Sequence, residues 1–535
     1  MTNYVSDFST KKTSQSQSIP GKNQVENFAG GFVFEVDDFT RLDRFLILGN
    51  DDGSYYASQK TLTIENAECV VRCLKKDATK TVDRIVEISV EKRAPKNDPA
   101  IFALALCASP QFSNDDDSVK YALSKLNDVC RIGTHLFQFA ENIKHLRGWG
   151  RGLRKAIASW YTDKNATALA YQVTKYQQRN GWSHKDLLRL SHPKTTGFVN
   201  EVLDYVINGT KTEVGNIFAV EEAKVAISNL QIVRLIQDHN LVRECIPNIW
   251  LNDPKVWEAL LENMPAMAMV RNLGKMTAVG LLKPMSEASL LVANRLSNTD
   301  FIKNSGMHPL SILMAGSVYR AGHGIKGSLN WNPDSNITYG LDQAFSLAFN
   351  TVIPTGKRHL LAIDISASMT WVNIAGTFIK PREAAAAMAA VTVRTESLTY
   401  TTVFSSGENT FGQRVRMAIT PFDINKGSSV QDVMNATSRM PVGGTDCALP
   451  MIYAMENKIE ADVFVVYTDS ETWAGGIHPC QALKDYRNKM GIDAKLIVVG
   501  MVSNGFSIAD PTDSGMLDCV GFDSSTPAIM ADFAR

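Results

Sequence analysis

The sequence predicts a multidomain chain, an α-solenoid of stacked helix pairs followed by a doubly wound α/β domain. Three observations carry this. From about residue 60 to 320, short segments with apolar residues three and four apart follow one another closely. Beyond residue 354 the pattern changes to alternating strands and helices, as in a mostly parallel sheet covered on both faces. One of those strands, "RHLLAIDIS", runs apolar and then stops on an acid and spaced hydroxyls. With 535 residues, the chain is also long for a single core.

The helical part reads as "NAECVVRCLKKDA", "SVKYALSKLNDVC", "LRKAIASWYTDK", "ATALAYQVTKYQQR", "HKDLLRLSH", "FVNEVLDYVIN", "VEEAKVAISNLQIVRLIQDH", "PKVWEALLEN" and "EASLLVANRLSN". Gly, Asn, Pro and Asp separate them. No strict repeat is visible, so the expectation is a degenerate, HEAT-like array. "HGIKGSLNWNPDSN", 323–336, reads as a linker region. After it come the strand "RHLLAIDIS" and the helix "PREAAAAMAAVTVRTE", with Pro381 in its first turn. The strands "LTYTTVFSS" and "RVRMAIT" follow, then the helices "SSVQDVMNAT" and "CALPMIYAMENK". The strand "ADVFVVYTDSE", the helix "PCQALKDYRNKMG" and a final strand "AKLIVVGM" complete the pattern. The expected division is a flexible polar tail over 1–24, a helical module over 25–353 and an α/β domain over 354–535.

Composition is that of an ordinary globular protein, with 44% hydrophobic and 21% charged residues. Basic and acidic residues balance at 55 each, but not locally. Between Glu141 and Lys194 eleven Lys and Arg face three acids, with His145, His184 and His192 added, whereas from Pro354 onward acids lead nineteen to fifteen. An electropositive face on the helical part follows. Eight scattered cysteines, no signal peptide and no apolar run approaching a membrane span give the expectation of reduced thiols in an intracellular protein without membrane contact. A monomer is expected.

Asp364, Ser366 and Ser368 are spaced two apart, so an extended chain points all three side chains one way. Thr445, in the helix-opening loop "PVGGTDCAL", and Asp469, at the carboxyl end of "VFVVYTD", fall in equivalent places. Five hard oxygen donors suit a divalent cation, Mg²⁺ first, with Mn²⁺ and Ca²⁺ as alternatives. A site with so few charged ligands leaves the ion net positive and ready for an acidic group from a protein partner. The competing reading is that these residues only cap turns. An aspartyl phosphotransferase usually needs a second acid where Ser366 stands. The pattern closely resembles the metal-ion-dependent adhesion site (MIDAS) of von Willebrand factor A domains, over roughly 355–535.

"HLRGWGRGLRKAIASWYTDK", 145–164, has three spaced glycines but no preceding strand, which excludes a dinucleotide fingerprint. Arg147, Arg151, Arg154, Lys155 and Lys164 instead read as phosphate contacts, with Trp149 and Trp160 as packing or stacking groups. In "QQRNGWSHKDLLRLSHPK" Gly181 breaks one helix, and Ser183 with Asp186 forms a capping-box pattern opening the next. His184 and Lys185 then lie in a first turn whose free N–H groups favour an anion. Lys175, Arg179, Arg189, His192 and Lys194 extend the patch, and a solvated basic surface is the alternative.

Together with the adhesion-type pattern, "HLRGWGRGLRKAIASWY" and "NGWSHKDLLRLSHPK" resemble the 60 kDa SS-A/Ro ribonucleoprotein family. Its TROVE module is shared with telomerase- and vault-associated proteins. The resemblance implies a ring of HEAT-like repeats, its ends brought together with the help of the A domain. It implies Y RNA bound on an outer basic surface, and misfolded noncoding RNA with single-stranded 3′ ends entering a central hole. A non-enzymatic role in RNA quality control, in cytoplasm and nucleus, follows as an expectation. The other function considered is a scaffold gripping an acidic partner residue through the metal site. A metal-dependent nuclease is disfavoured, because only one metal site is legible.

Overall fold

The computed structural model describes residues 12–48, 67–113, 115–324, 328–349, 353–371, 373, 379–405, 418–502, 504–521 and 523–535. Two compact units partition the chain, 70–348 and 1–69 with 349–535. The N-terminal segment therefore belongs with the α/β unit. Residues 1–11 of the expected tail lie outside the described residues, but residues 12–24 are not a tail, since Gln15 is fully buried. β1 (Gln24–Glu26) and β2 (Phe32–Glu35) follow, then the helix Asp38–Leu48.

The helical unit runs from Val70 to Ala348. Its helices stay short because caps are written into the sequence. Side chains of Asp77, Asp115, Asn165, Ser228, Asp253, Ser286 and Asn298 each accept an N–H of the helix they open. Gly209, Gly306 and Gly322 close helices in the left-handed conformation. Each polar cap stabilises by about 1 kcal/mol. The helix Asp98–Cys107, "DPAIFALALC", is buried on every side except at Asp98. It packs against Ala78–Val90, Asp116–Ser124 and Gly133–Leu146, as an all-apolar helix must.

Two features here depart from expectation. Gly181 does not break a helix. With Asn180 it forms the two-residue turn, both at positive φ, joining β3 (Gln178–Arg179) to β4 (Trp182–Ser183), the hairpin chemistry Asn-Gly favours. Part of the expected linker, 323–336, packs onto the unit through Trp331 and Asp334. The Trp331 indole N–H donates to the Tyr319 carbonyl at 2.8 Å, and Asp334 caps the helix Ser335–Leu347. Segments early and late in the unit also touch, since Arg93 follows the helix Ala78–Val90 and His308 opens Pro309–Ala321. His308 caps Pro309–Ala321 through Nδ1, and its Nε2 lies 2.9 Å from the carbonyl of Arg93.

In the α/β unit, β5 (Arg358–Asp364), β6 (Leu398–Phe404), β7 (Ile419–Pro421), β8 (Val463–Thr468), β9 (Lys495–Gly500) and β11 (Met516–Val520) form one sheet in the order β11-β9-β8-β5-β6-β7. All pairs are parallel except the edge pair β6–β7. β8 is buried throughout, and β5 and β9 are buried beyond their first residue, which explains their unbroken apolar sequences. β9 is not the final strand. The edge strand β11, "MLDCV", is half-exposed over its first three residues and buried only at Cys519 and Val520. Of "RVRMAIT", residues 414–417 lie outside the described residues. β10 (Phe506–Ser507) joins β1 and β2 in a small antiparallel sheet. No helix among the described residues is long and apolar enough to cross a membrane.

Candidate functional site

At the carboxyl end of β5, Asp364 turns the chain so that its Oδ1 accepts the Ser366 N–H at 2.8 Å, and the Ser366 and Ser368 hydroxyls lie 3.0 Å apart. The Thr468 hydroxyl donates to Asp364 Oδ2 at 2.6 Å, tying the ends of β5 and β8 together. Asp469 follows immediately, and the Ser368 hydroxyl acts on its carboxyl in the direction opposite to burial. Thr445 is fixed through its backbone, whose carbonyl accepts the N–H groups of Trp473 and Ala474 at 3.1 and 3.0 Å. All five predicted oxygen donors are at most 4% exposed. Burial pushes the Asp364 and Asp469 carboxyls above the ordinary carboxylate range, and the charge of Asp469 adds to the push on Asp364. Neither makes an ion pair among the described residues. Two buried carboxylates among hydroxyls, lacking a countercharge, fit a hard divalent cation.

Sequence reasoning missed the residues that hold this cluster. Thr468 could have been found, since it precedes Asp469 at the strand end. Asn504, whose amide donates to the Asp469 carbonyl at 2.5 Å, and Arg44, which grips Asn504 and Asp518, give no local signal.

The basic stretch divides into two groups. His184, expected beside phosphate, is a core residue, 3% exposed, packed among Phe137, Trp160 and Tyr161. Its Nδ1 is 2.9 Å from the Tyr161 hydroxyl. The reason is register: His184, Leu187, Leu188 and Ser191 form the buried stripe of the helix His184–Ser191, so the first turn is also core. Burial brings its imidazole down to about 4. Arg147 is half-buried and donates to the Ala108 carbonyl at 2.6 Å. Lys164 folds over Trp160, 3.6 Å from the ring centre, and donates to the Trp160 carbonyl, while burial lowers it to about 8. Lys175 donates to the Tyr171 hydroxyl at 2.8 Å. These four are structural.

The second group is free. Arg151, Arg154 and Lys155 lie on the exposed side of the helix Arg151–Thr162, opposite buried Leu153, Ile157, Trp160 and Tyr161. Arg179 on β3, Arg189, His192 and Lys194 are exposed as well, and Lys185 is half-exposed. No side chain of these eight makes a hydrogen bond or ion pair among the described residues. Their supports adjoin, because the helices Arg151–Thr162 and His184–Ser191 pack together, and β4 packs on the latter. The capping box forms, with the Ser183 N–H donating to Asp186 at 2.9 Å. Beside it is a cleft of about 550 Å³ lined by Glu141, Lys144, Trp182, Asp186 and Arg189, among others. Trp182 donates to Glu141 at 2.8 Å and packs on Trp149, while Trp160 is buried.

A helical array with unpaired cations, joined to a doubly wound sheet bearing D-x-S-x-S, Thr and Asp at its carboxyl edge, defines a protein of combined TROVE and von Willebrand factor A architecture. The TROVE domain model matches residues 25–227 and 233–321, and the Ro60 vWA domain model matches 358–534. The chain belongs to the Ro60 family. It is similar to the RNA-binding protein RO60 of Caenorhabditis elegans, 36% identical and covering 99% of this chain and 93% of that one. It is similar also to the RNA-binding protein RO60 of Deinococcus radiodurans, 38% identical over 96% of each. The crystal structure of the Deinococcus radiodurans RO (RSR) protein superposes with a TM-score of 0.70 at 36% identity, covering 93% of this chain and 99% of that one.

Proposed function

We propose that this chain is an RNA-binding protein that holds small noncoding RNA through the exposed cations of residues 151–194. The observation that carries it is the set of cations without internal partners on adjoining elements, in a chain whose relatives are named RNA-binding proteins. Exposed cations clustered on adjoining elements without carboxylates to neutralise them make a positive potential that attracts an external polyanion. Phosphate contacts of this kind grip the backbone without reading sequence, which suits structured RNA with its closed major groove. Y RNA is the ligand the family resemblance points to, and misfolded noncoding RNA with an unpaired 3′ end is the second.

Neutralising Arg151, Arg154 and Lys155 together tests the reading. Binding of a Y-type stem should weaken at every salt concentration, and the slope of log affinity against log salt should flatten by roughly 2–3. Lys164→Ala should leave that slope unchanged, since its charge already lies on Trp160. An unaltered slope in the triple variant rejects this surface as the RNA site.

A second reading concerns the α/β unit. Asp364, Ser366, Ser368, Thr445 and Asp469 would hold Mg²⁺, which would supply a positive charge for an acidic side chain of a protein partner. Buried carboxylates without a countercharge support it. EDTA and Asp364→Ala should abolish such partner binding while sparing the salt-sensitive RNA binding. Loss of both together would instead make the site structural.

A further inference from the structure

We propose that residues 15–31 form a strap that positions the metal loop, so that docking of the N-terminal segment and divalent-cation affinity are coupled. The inference rests on the metal reading above. Gln15 is the strap's first anchor, and it joins the two loops that carry the sequence-distant donors. Its Nε2 donates to Asp446 Oδ1 at 2.8 Å, next to Thr445, and to the Ile477 carbonyl at 2.9 Å. Its Oε1 accepts from the Thr472 hydroxyl at 2.5 Å and from the Gly475 N–H at 3.1 Å. Thr472 in turn accepts the Cys447 N–H at 3.0 Å. One buried amide thus connects the chain just after Thr445 with the chain just after Asp469.

The second anchor is Asn27. Its Nδ2 donates to the carbonyls of Ser470 and Thr472 at 3.3 and 2.9 Å, while its Oδ1 accepts the N–H groups of Ala29 and Gly31. Ser470 follows Asp469 directly and holds a left-handed φ of 61°, a conformation that a serine keeps only under external constraint. Gly31 packs so closely that an added Cβ would fall 1.8 Å from the Thr472 carbonyl oxygen. The strap also holds a third acid, since the Ala29 N–H donates to Glu471 Oε2 at 3.1 Å. That contact keeps a carboxylate two residues from Asp469 engaged with backbone rather than free to enter the ion's shell. Coupling of this kind is reciprocal: whatever the strap adds to metal affinity, the metal adds to strap docking.

The test uses full-length protein and Mn²⁺ as the probe, with affinity read by calorimetry or electron paramagnetic resonance. Gln15→Ala with Asn27→Ala should bind Mn²⁺ at least tenfold more weakly than wild type, with RNA affinity and the helical circular dichroism unchanged. Asn27→Asp keeps the acceptor for Ala29 and Gly31 but loses both donors to the metal loop, so it should weaken Mn²⁺ binding with the strap turn intact. A reciprocal measurement on wild type needs no folded variant: Mn²⁺ should slow proteolysis between residues 15 and 31 relative to EDTA. Wild-type Mn²⁺ binding with unchanged affinity in the variants, or cleavage indifferent to Mn²⁺, overturns the strap alone. No Mn²⁺ binding by wild type overturns the metal reading and the strap with it.

Discussion

Acidification from pH 7 to pH 4 is expected to cost the helical unit about 3 kcal/mol through His184 alone. The imidazole is buried against Phe137, Trp160 and Tyr161, and burial takes it from an ordinary value of 6.5 to about 4. A depressed folded value means that the unfolded chain takes up the proton first. The stability is therefore complete above about 6.5 and is lost as pH falls toward about 4. His135, beneath Asn97, is lowered to about 4 as well, burial being the main cause, so it acts in the same direction over the same window. Urea midpoints followed by far-ultraviolet circular dichroism at pH 7, 5.5 and 4.5 should fall steadily. His184→Gln should begin lower at pH 7 and lose less on acidification, because it has no proton to gain. An equal acid loss in both proteins would place the sensitivity elsewhere.

His184 also shows where sequence reading ends. The capping box of Ser183 and Asp186 is local, three residues apart, and is present as read. Whether the histidine between them faces solvent depends on which side of an eight-residue helix packs inward, and the buried stripe at 184, 187, 188 and 191 includes it. Lys164 and Lys175 escaped for a related reason: a long basic side chain can lie along an aromatic ring, and no spacing distinguishes that from reaching into water. The β strands were legible where burial on both faces makes an unbroken apolar run, as in β5, β8 and β9, and illegible at the half-exposed edge strand β11.

The strap was misread because its contacts are polar. A stretch such as "KKTSQSQSIPGKNQ" has the composition of a disordered tail, yet its Gln15 bonds to side chains and backbone atoms more than four hundred residues away. Asp364, Ser366 and Ser368 could be placed beside Asp469 from sequence because the adjacent parallel strands β5 and β8 end on the same edge. Their supports, Asn504 and Arg44, enter from outside that logic.

Saturating Mg²⁺ should raise the thermal midpoint of the α/β unit, and removing one carboxylate should raise it in the absence of metal. The first effect is linkage: an ion present at a hundredfold excess over its Kd stabilises by about 2.7 kcal/mol. The second comes from the metal-free cluster, where Asp364 and Asp469 are both buried, repel one another and have no ion-pair partner among the described residues. Asp364→Asn keeps the acceptor for the Ser366 N–H and a group that can bond the Thr468 hydroxyl. It deletes the repelling charge and should gain of the order of 1–3 kcal/mol in EDTA. The variant should show no response to Mg²⁺, having lost the ligand that opens the motif. Opposite signs in one residue separate a metal site from a turn cap, since a carboxylate that merely caps a turn stabilises the fold with or without metal. If Asp364→Asn melts lower than wild type in EDTA, and wild type ignores Mg²⁺, the acid serves the turn and the hydroxyls serve it too.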